Sequence, residues 1–219
     1  MSLPHRSARS SAALVAAVAT FALALQYVLL LRLTLGTIGP LLATVRFFTY
    51  FTILSNLLVL LVTATFAFAP GSGCGRWFAR PVVRGAVALY IGVTLGIYAT
   101  ILRALWQPQG AQWWADSSLH YAVPGLYLLW WLFAVPHGVL RWGDLLRWQL
   151  FPLAYVCWVF LRGAWAHEYP YPFLDSGLLA LPDVVRNCAG VFVLFLALGA
   201  VLVAIDRWSG RAKQAVAAT

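Results

Sequence analysis

Six runs dominated by Leu, Val, Ala and aromatic residues follow one another along the chain, at about 11–31, 48–69, 83–104, 116–136, 147–164 and 184–205. Each is close to the roughly 20 residues that an α-helix needs to cross a bilayer, so the pattern predicts six transmembrane helices. Pro- and Gly-rich breaks at 70–75, 107–110 and 169–172 read as loops. They are short, so consecutive helices are expected as antiparallel neighbours in one all-α bundle with no second domain. The first run is expected to remain as a span and not to be removed as a leader, because it is long and lacks a small-residue cleavage site. One run departs from uniform apolarity. Arg46-Phe-Phe-Thr-Tyr-Phe-Thr-Ile-Leu-Ser-Asn56 places Thr49, Thr52, Ser55 and Asn56 at spacings of three and four, which is one face of a helix. In lipid such a stripe has to meet other protein or a cavity.

Composition and charge narrow this picture. The chain is 63% hydrophobic and 10% charged, which excludes a soluble domain with an ordinary surface. The net charge of +9 does not point to nucleic acid, because the basic residues lie between the apolar runs, where they set topology and touch anionic headgroups. Ten of the fifteen basic residues fall on one side of the expected bundle; Arg32, Arg46, Arg103, Arg162 and Arg186 fall on the other. The excess places both termini in the cytoplasm. Cys74, Cys157 and Cys188 form no CxxC pair and read as small buried thiols, without a disulfide framework. The four histidines lack ligand spacing, so no metal and no cofactor is expected. There is no GxSxG elbow, HExxH pair or glycine-rich phosphate loop. No acid lies mid-span, which argues against an ion-coupled transporter built on buried carboxylates.

With this topology, Thr52, His120 and the loop 169–175 reach the same depth on the outer side of the membrane. A histidine at the start of an apolar span is a functional candidate, because its neutral-range pKa suits proton transfer and its burial unpaired is costly. A threonine hydroxyl becomes a nucleophile when a base takes its proton. Thr52 and His120 are therefore the candidate catalytic pair, with Thr49 as the rival nucleophile one turn away. Ser55 and Asn56 are placed to orient the hydroxyl or to supply donors. Asp116, four residues before His120, either orients the imidazole or caps a helix in solvent. Each threonine has a simpler reading, in which its hydroxyl bonds back to a carbonyl of its own helix. Arg46, Arg103 and Arg162 are candidates for holding a substrate carboxylate or headgroup, and each also reads as an interfacial anchor. Trp113 and Trp114 fit an interfacial belt or the mouth of a lipid pocket.

These residues also resemble a family. Tyr171-Pro-Phe-Leu-Asp175, the aromatic Tyr155-Val-Cys-Trp158, Phe51-Thr52 with Ser55 three positions on, and Asp116 four before His120 are similar to the androgen-induced protein family of multi-span threonine hydrolases, and to related bacterial six-span membrane proteins. The likeness runs from the second segment to the sixth and is most specific at 171–175. Ser117 stands where animal members carry a second histidine, Tyr121 where they carry a threonine, and Pro124 sits one position closer to the histidine. The resemblance implies cleavage of fatty acid esters of hydroxy fatty acids by Thr52 and His120. It further implies Tyr171 and Asp175 at the substrate loop, a lipid substrate drawn from the bilayer, and a bacterial inner membrane. The expectation is an intramembrane ester hydrolase. The alternative is a lipid-binding or scaffold protein whose polar stripe only packs helices, and a small transporter is a third class.

Overall fold

The structure is a computed structural model and describes residues 3–217. It is all-α, with no strand among the described residues. Four helices are long and apolar enough to cross a membrane: α1, Arg6–Thr34 within Leu3–Thr34; α3, Phe51–Phe68; α5, Pro81–Leu105; and α9, Leu181–Arg211 within Leu181–Ala217. The two remaining expected spans are present as helices that fall short of those limits. One is continuous over 110–134 (α6, made of Gly110–Ser117, a π turn at Ser118–Ala122, and Val123–Ala134). Its Trp, Tyr and polar residues dilute its apolarity. The other, α8 at Leu150–Ala166, has 17 residues. Shorter helices complete the chain: α2 at Gly39–Phe47, α4 at Gly73–Phe78 inside an expected loop, and α7 at Asp144–Trp148. Ser72 starts α4 by accepting the Gly75 N–H at 2.9 Å, an N-cap the loop composition concealed.

Large apolar side chains cover the outside as well as the core. Phe21, Leu33, Leu41, Phe133, Leu161 and Val193 are all more than half exposed in the isolated chain. A continuous apolar exterior of this kind needs lipid or protein against it. Helix α5 is the centre. Val87, Ala88, Leu89, Ile91 and Val93 are buried, so apolar residues on several sides of it meet α3, α6 and α9. Cys74 and Cys157 are exposed and Cys188 partly exposed, so none is the buried thiol expected: Cys74 lies on the short α4, and α8 and α9 lie at the rim with their outer faces open.

The end of the bundle where α6 hands over to the next loop is fastened to α9 by backbone contact. The loop after α6 turns through Gly138 at φ +94° and passes directly over Gly210 of α9. A Cβ at Gly210 would stand 2.3 Å from the Gly138 Cα. Main chain cannot rotate away as a side-chain tip can. Gly210→Ala is therefore expected to lower unfolding stability by about 1–3 kcal/mol, as overpacking does. Thermal unfolding in detergent checks this, and an unchanged midpoint would mean that the loop is loosely held.

Candidate active site

The second apolar run does not begin as one helix. Helix α2 ends at Phe47, residues 48–50 form a turn, and α3 starts at Phe51 after an extended Tyr50. Thr49 therefore leaves the expected polar face. It lies in the turn, and its hydroxyl donates to the Val45 carbonyl at 2.8 Å. Thr52, Ser55 and Asn56 remain on the buried face of α3. Thr52 sits in the first turn, where main-chain N–H groups have no helical acceptor and the helix dipole is positive.

The opposing wall is the π turn of α6. Pro124 cannot donate to the His120 carbonyl and its ring would crowd it, and the helix widens just ahead of it. Asn56 follows this opening. Its amide donates to the Thr52 carbonyl at 2.8 Å and to the Leu119 carbonyl at 3.1 Å, so it stitches the two helices together beside the site. Ser55 lies between the Thr52 carbonyl (3.1 Å) and the Thr94 hydroxyl (2.9 Å). Both residues hold the Thr52 backbone, and neither reaches its hydroxyl.

The Thr52 hydroxyl instead meets His120. Its Oγ1 is 3.3 Å from His120 Nε2. The other ring nitrogen, Nδ1, lies 2.9 Å from the Asp116 carbonyl and 3.4 Å from its carboxylate. A carbonyl can only accept, so Nδ1 carries a proton, and in the neutral ring Nε2 presents its lone pair to the threonine. Asp116 is buried in mid-helix, which removes the solvated-cap reading. Its carboxylate also accepts from the Tyr98 hydroxyl, and the Tyr98 ring stacks on His120 at 3.9 Å and 14°. Tyr98 occupies a second π turn, Tyr98–Leu102, facing the first. Two π turns at one site match the general placement of these distortions at functional positions.

Thr52 opens onto an apolar cleft of about 790 Å³, counting its open side. Val93 and Ile97 of α5, Val156 of α8, Val191 and Phe195 of α9, and Phe173 of the loop form its walls. A second, more polar recess, the vestibule, is lined by Tyr98, Arg103, Trp113, Asp116 and Tyr121. Thr52 thus lines the apolar cleft, while Tyr98 and Asp116, which hold His120, line the vestibule.

The loop that closes the cleft is held at several points. His167 ends α8 in a left-handed conformation, at φ 51°, and turns the chain back. The Tyr169 ring then packs against Gly163, where a Cβ would come within 2.4 Å of it. Glu168 accepts from Arg162 at 2.9 Å and faces Arg46 at 3.6 Å. Two of the three arginines expected at a substrate are therefore matched by a carboxylate of the protein and line neither cavity. Arg103 alone reaches one, the vestibule. Asp175 caps its own turn, accepting the Gly177 N–H at 2.8 Å. Tyr171 enters the site, and its hydroxyl lies 3.2 Å from the Thr52 N and 3.3 Å from Oγ1. Trp113 flanks the vestibule, and Trp114 packs on Trp113 edge to face with most of its surface outside.

Among the described residues, no three His, Cys, Asp or Glu side chains gather as metal ligands would. The sequence reading missed Tyr98 and Thr94, since an aromatic or threonine inside an apolar run reads as core, and it did not pair Glu168 with the arginines. Family models, curated proteins and solved structures offer no match to this chain, so its candidate site is defined by its own geometry.

Proposed function

We propose that the chain is an intramembrane lipid-ester hydrolase of six spans, with both termini in the cytoplasm and the site toward the outer side. One observation carries the reading. A threonine hydroxyl at a helix N-terminus meets one ring nitrogen of a histidine whose other nitrogen is fixed, at the end of an apolar cleft. Such an arrangement activates a nucleophile. The acyl chain of the ester lies in the cleft and its carbonyl carbon reaches Thr52. The Thr52 oxygen bonds to that carbon while His120 takes the hydroxyl proton. The bond from carbonyl carbon to alcohol oxygen then breaks, and His120 returns the proton to the departing alcohol. Water from the vestibule side, deprotonated by His120, cleaves the acyl-threonine and restores both groups. Arg103 in the vestibule meets the polar end of the substrate. The resemblance to the androgen-induced protein family and its bacterial relatives agrees with this assignment of roles, and points to a bacterial inner membrane.

The test is labelling of purified protein with a long-chain fluorophosphonate, which bonds covalently to activated hydroxyls. Labelling is expected in wild type and in Thr49→Ala, and absent in Thr52→Ala. Labelling that survives Thr52→Ala and disappears in Thr49→Ala would move the nucleophile. Folded wild type that neither labels nor hydrolyses long-chain esters would leave the cleft as a lipid-binding site.

A further inference from the structure

Tyr171 is more rigidly placed than a cleft-lining aromatic needs to be. It stands between Pro170 and Pro172. A following proline biases a residue to extended backbone, and Tyr171 adopts φ −134°, ψ 136°. Immediately afterwards the short 3₁₀ turn Pro172–Leu174 buries Leu174, and Asn187 of α9 donates to the Phe173 carbonyl at 2.9 Å. The Tyr171 ring lies parallel to Phe173 at 5.3 Å and meets Tyr50 edge on at 6.2 Å. Backbone, flanking turn and ring contacts thus all fix where the phenol oxygen goes.

That oxygen sits at the start of α3, 3.2 Å from the Thr52 amide nitrogen and 3.3 Å from Oγ1, and the Phe51 amide also faces it. The direction of each hydrogen bond follows from what each atom is able to do. The Thr52 N–H can only donate, so the phenol oxygen accepts it and keeps its own proton to give. The Thr52 hydroxyl gives its proton to His120 Nε2, so its oxygen accepts from the phenol. The chain therefore runs from Tyr171 O–H to Thr52 Oγ1, from Thr52 O–H to His120 Nε2, and from His120 Nδ1–H to the Asp116 carbonyl. The free proton of Tyr171 thus reaches the same oxygen that His120 deprotonates, beside the main-chain start of α3.

We propose that Tyr171 is a catalytic donor whose O–H turns from the Thr52 oxygen onto the carbonyl oxygen of the ester as Thr52 attacks, serving as the side-chain donor of an oxyanion hole, while the Thr52 N–H stays on the phenol oxygen and holds it in place. This rests on the hydrolase reading above. When the Thr52 oxygen bonds to the carbonyl carbon, the C=O pair moves onto oxygen, a hydrogen-bond length from a donor that previously held the nucleophile. The phenol keeps its proton throughout and only the bond it donates is redirected. Burial pushes the Tyr171 hydroxyl above the usual phenol range, so it remains a donor wherever His120 is neutral. Preorganised donors aimed at developing charge are commonly the largest single contribution to acyl-transfer rates.

The experiment is steady-state hydrolysis of a long-chain p-nitrophenyl ester by the full chain in nanodiscs. Tyr171→Phe keeps the ring between Tyr50 and Phe173 and removes only the hydroxyl. Its kcat is expected to fall by about a hundred- to a thousandfold, as on loss of one oxyanion donor. KM should stay within about threefold, because ground-state binding is retained. A kcat within about threefold of wild type, a loss confined to KM, or a gain in kcat overturns the proposal, since the phenol would then be cleft wall or obstruction. Replacing Tyr171 by difluorotyrosine keeps shape and hydroxyl while making a more acidic phenol. If the phenylalanine variant does not fold, a kcat that loses activity at alkaline pH in this variant alone supports the donor role, and a profile identical to wild type overturns it. Wild type no faster than Thr52→Ala sinks the hydrolase reading and this proposal together. A Thr52-dependent wild type with an unaffected Tyr171→Phe sinks this proposal alone.

Discussion

Replacing His120 by alanine is expected to lower ester turnover by about 10⁴-fold, the upper end of what positioned proton transfer supplies. The reason lies in the geometry of Thr52. Its Oγ1 has one basic atom in reach, His120 Nε2, while Tyr171 offers it only a donor. Without the imidazole the hydroxyl proton has nowhere to go, and an unionised threonine is a poor nucleophile. The two residues act as a unit, so Thr52→Ala with His120→Ala is expected to be no slower than either single variant. Turnover of the long-chain ester in nanodiscs, corrected for the uncatalysed rate, reads both quantities. Losses that multiply in the double variant would mean that each residue contributes separately, and the base would have to be sought elsewhere.

The second large effect is one of stability and lies at the other end of the molecule. Asp206 of α9 is 2% exposed and spends both carboxylate oxygens on the loop after α6. Oδ1 meets His137 Nδ1 at 3.0 Å, and Oδ2 accepts the N–H groups of Val139 and Leu140, each at 2.9 Å. His137 Nε2 is engaged in turn by the Leu132 carbonyl at 2.9 Å. The Leu132 carbonyl can only accept, so Nε2 carries a proton, and Nδ1 faces the carboxylate. Asp206→Ala strands a buried ring nitrogen and two amides in a region where Gly138 and Gly210 leave no room for rearrangement. Leaving a buried polar group without its partner costs about 1–3 kcal/mol, so the three together are expected to cost at least about 3 kcal/mol. Equilibrium unfolding in mixed micelles measures it, and a change below about 1 kcal/mol would put the group in the class of surface pairs. Ester turnover by the surviving folded fraction should be unaltered, because no atom of this network reaches the cleft.

The helical character was legible because apolarity accumulates over many residues, and Thr52 and His120 were legible because polar groups in such runs need a reason. What stayed hidden depends on short-range geometry. The helix break at residues 48–50 has no glycine or proline to announce it, so Thr49 read as part of the α3 face until the turn was seen. The π turns add one residue to a turn without changing composition, and they decide that Tyr98 lies on His120 and that the Leu119 carbonyl is free for Asn56. Arg46 and Arg162 looked alike from their positions beside apolar runs. Only the fold shows that Glu168 reaches both of them and leaves Arg103 at a cavity. Asp206 and His137 are distant in sequence and became a pair only when α9 crossed the loop.

The open side of the cleft bears on how the protein would meet its substrate. Leu153 of α8 and Phe192 of α9 both line it and both remain exposed on the outer surface, so the opening faces where acyl chains would be. For a hydrolase reached in this way, the relevant abundance of an ester is its mole fraction among the surrounding lipids. Adding inert lipid would slow turnover by two-dimensional dilution at constant total substrate. A water-soluble ester would be disfavoured first by partitioning, before any contact with Thr52 was made.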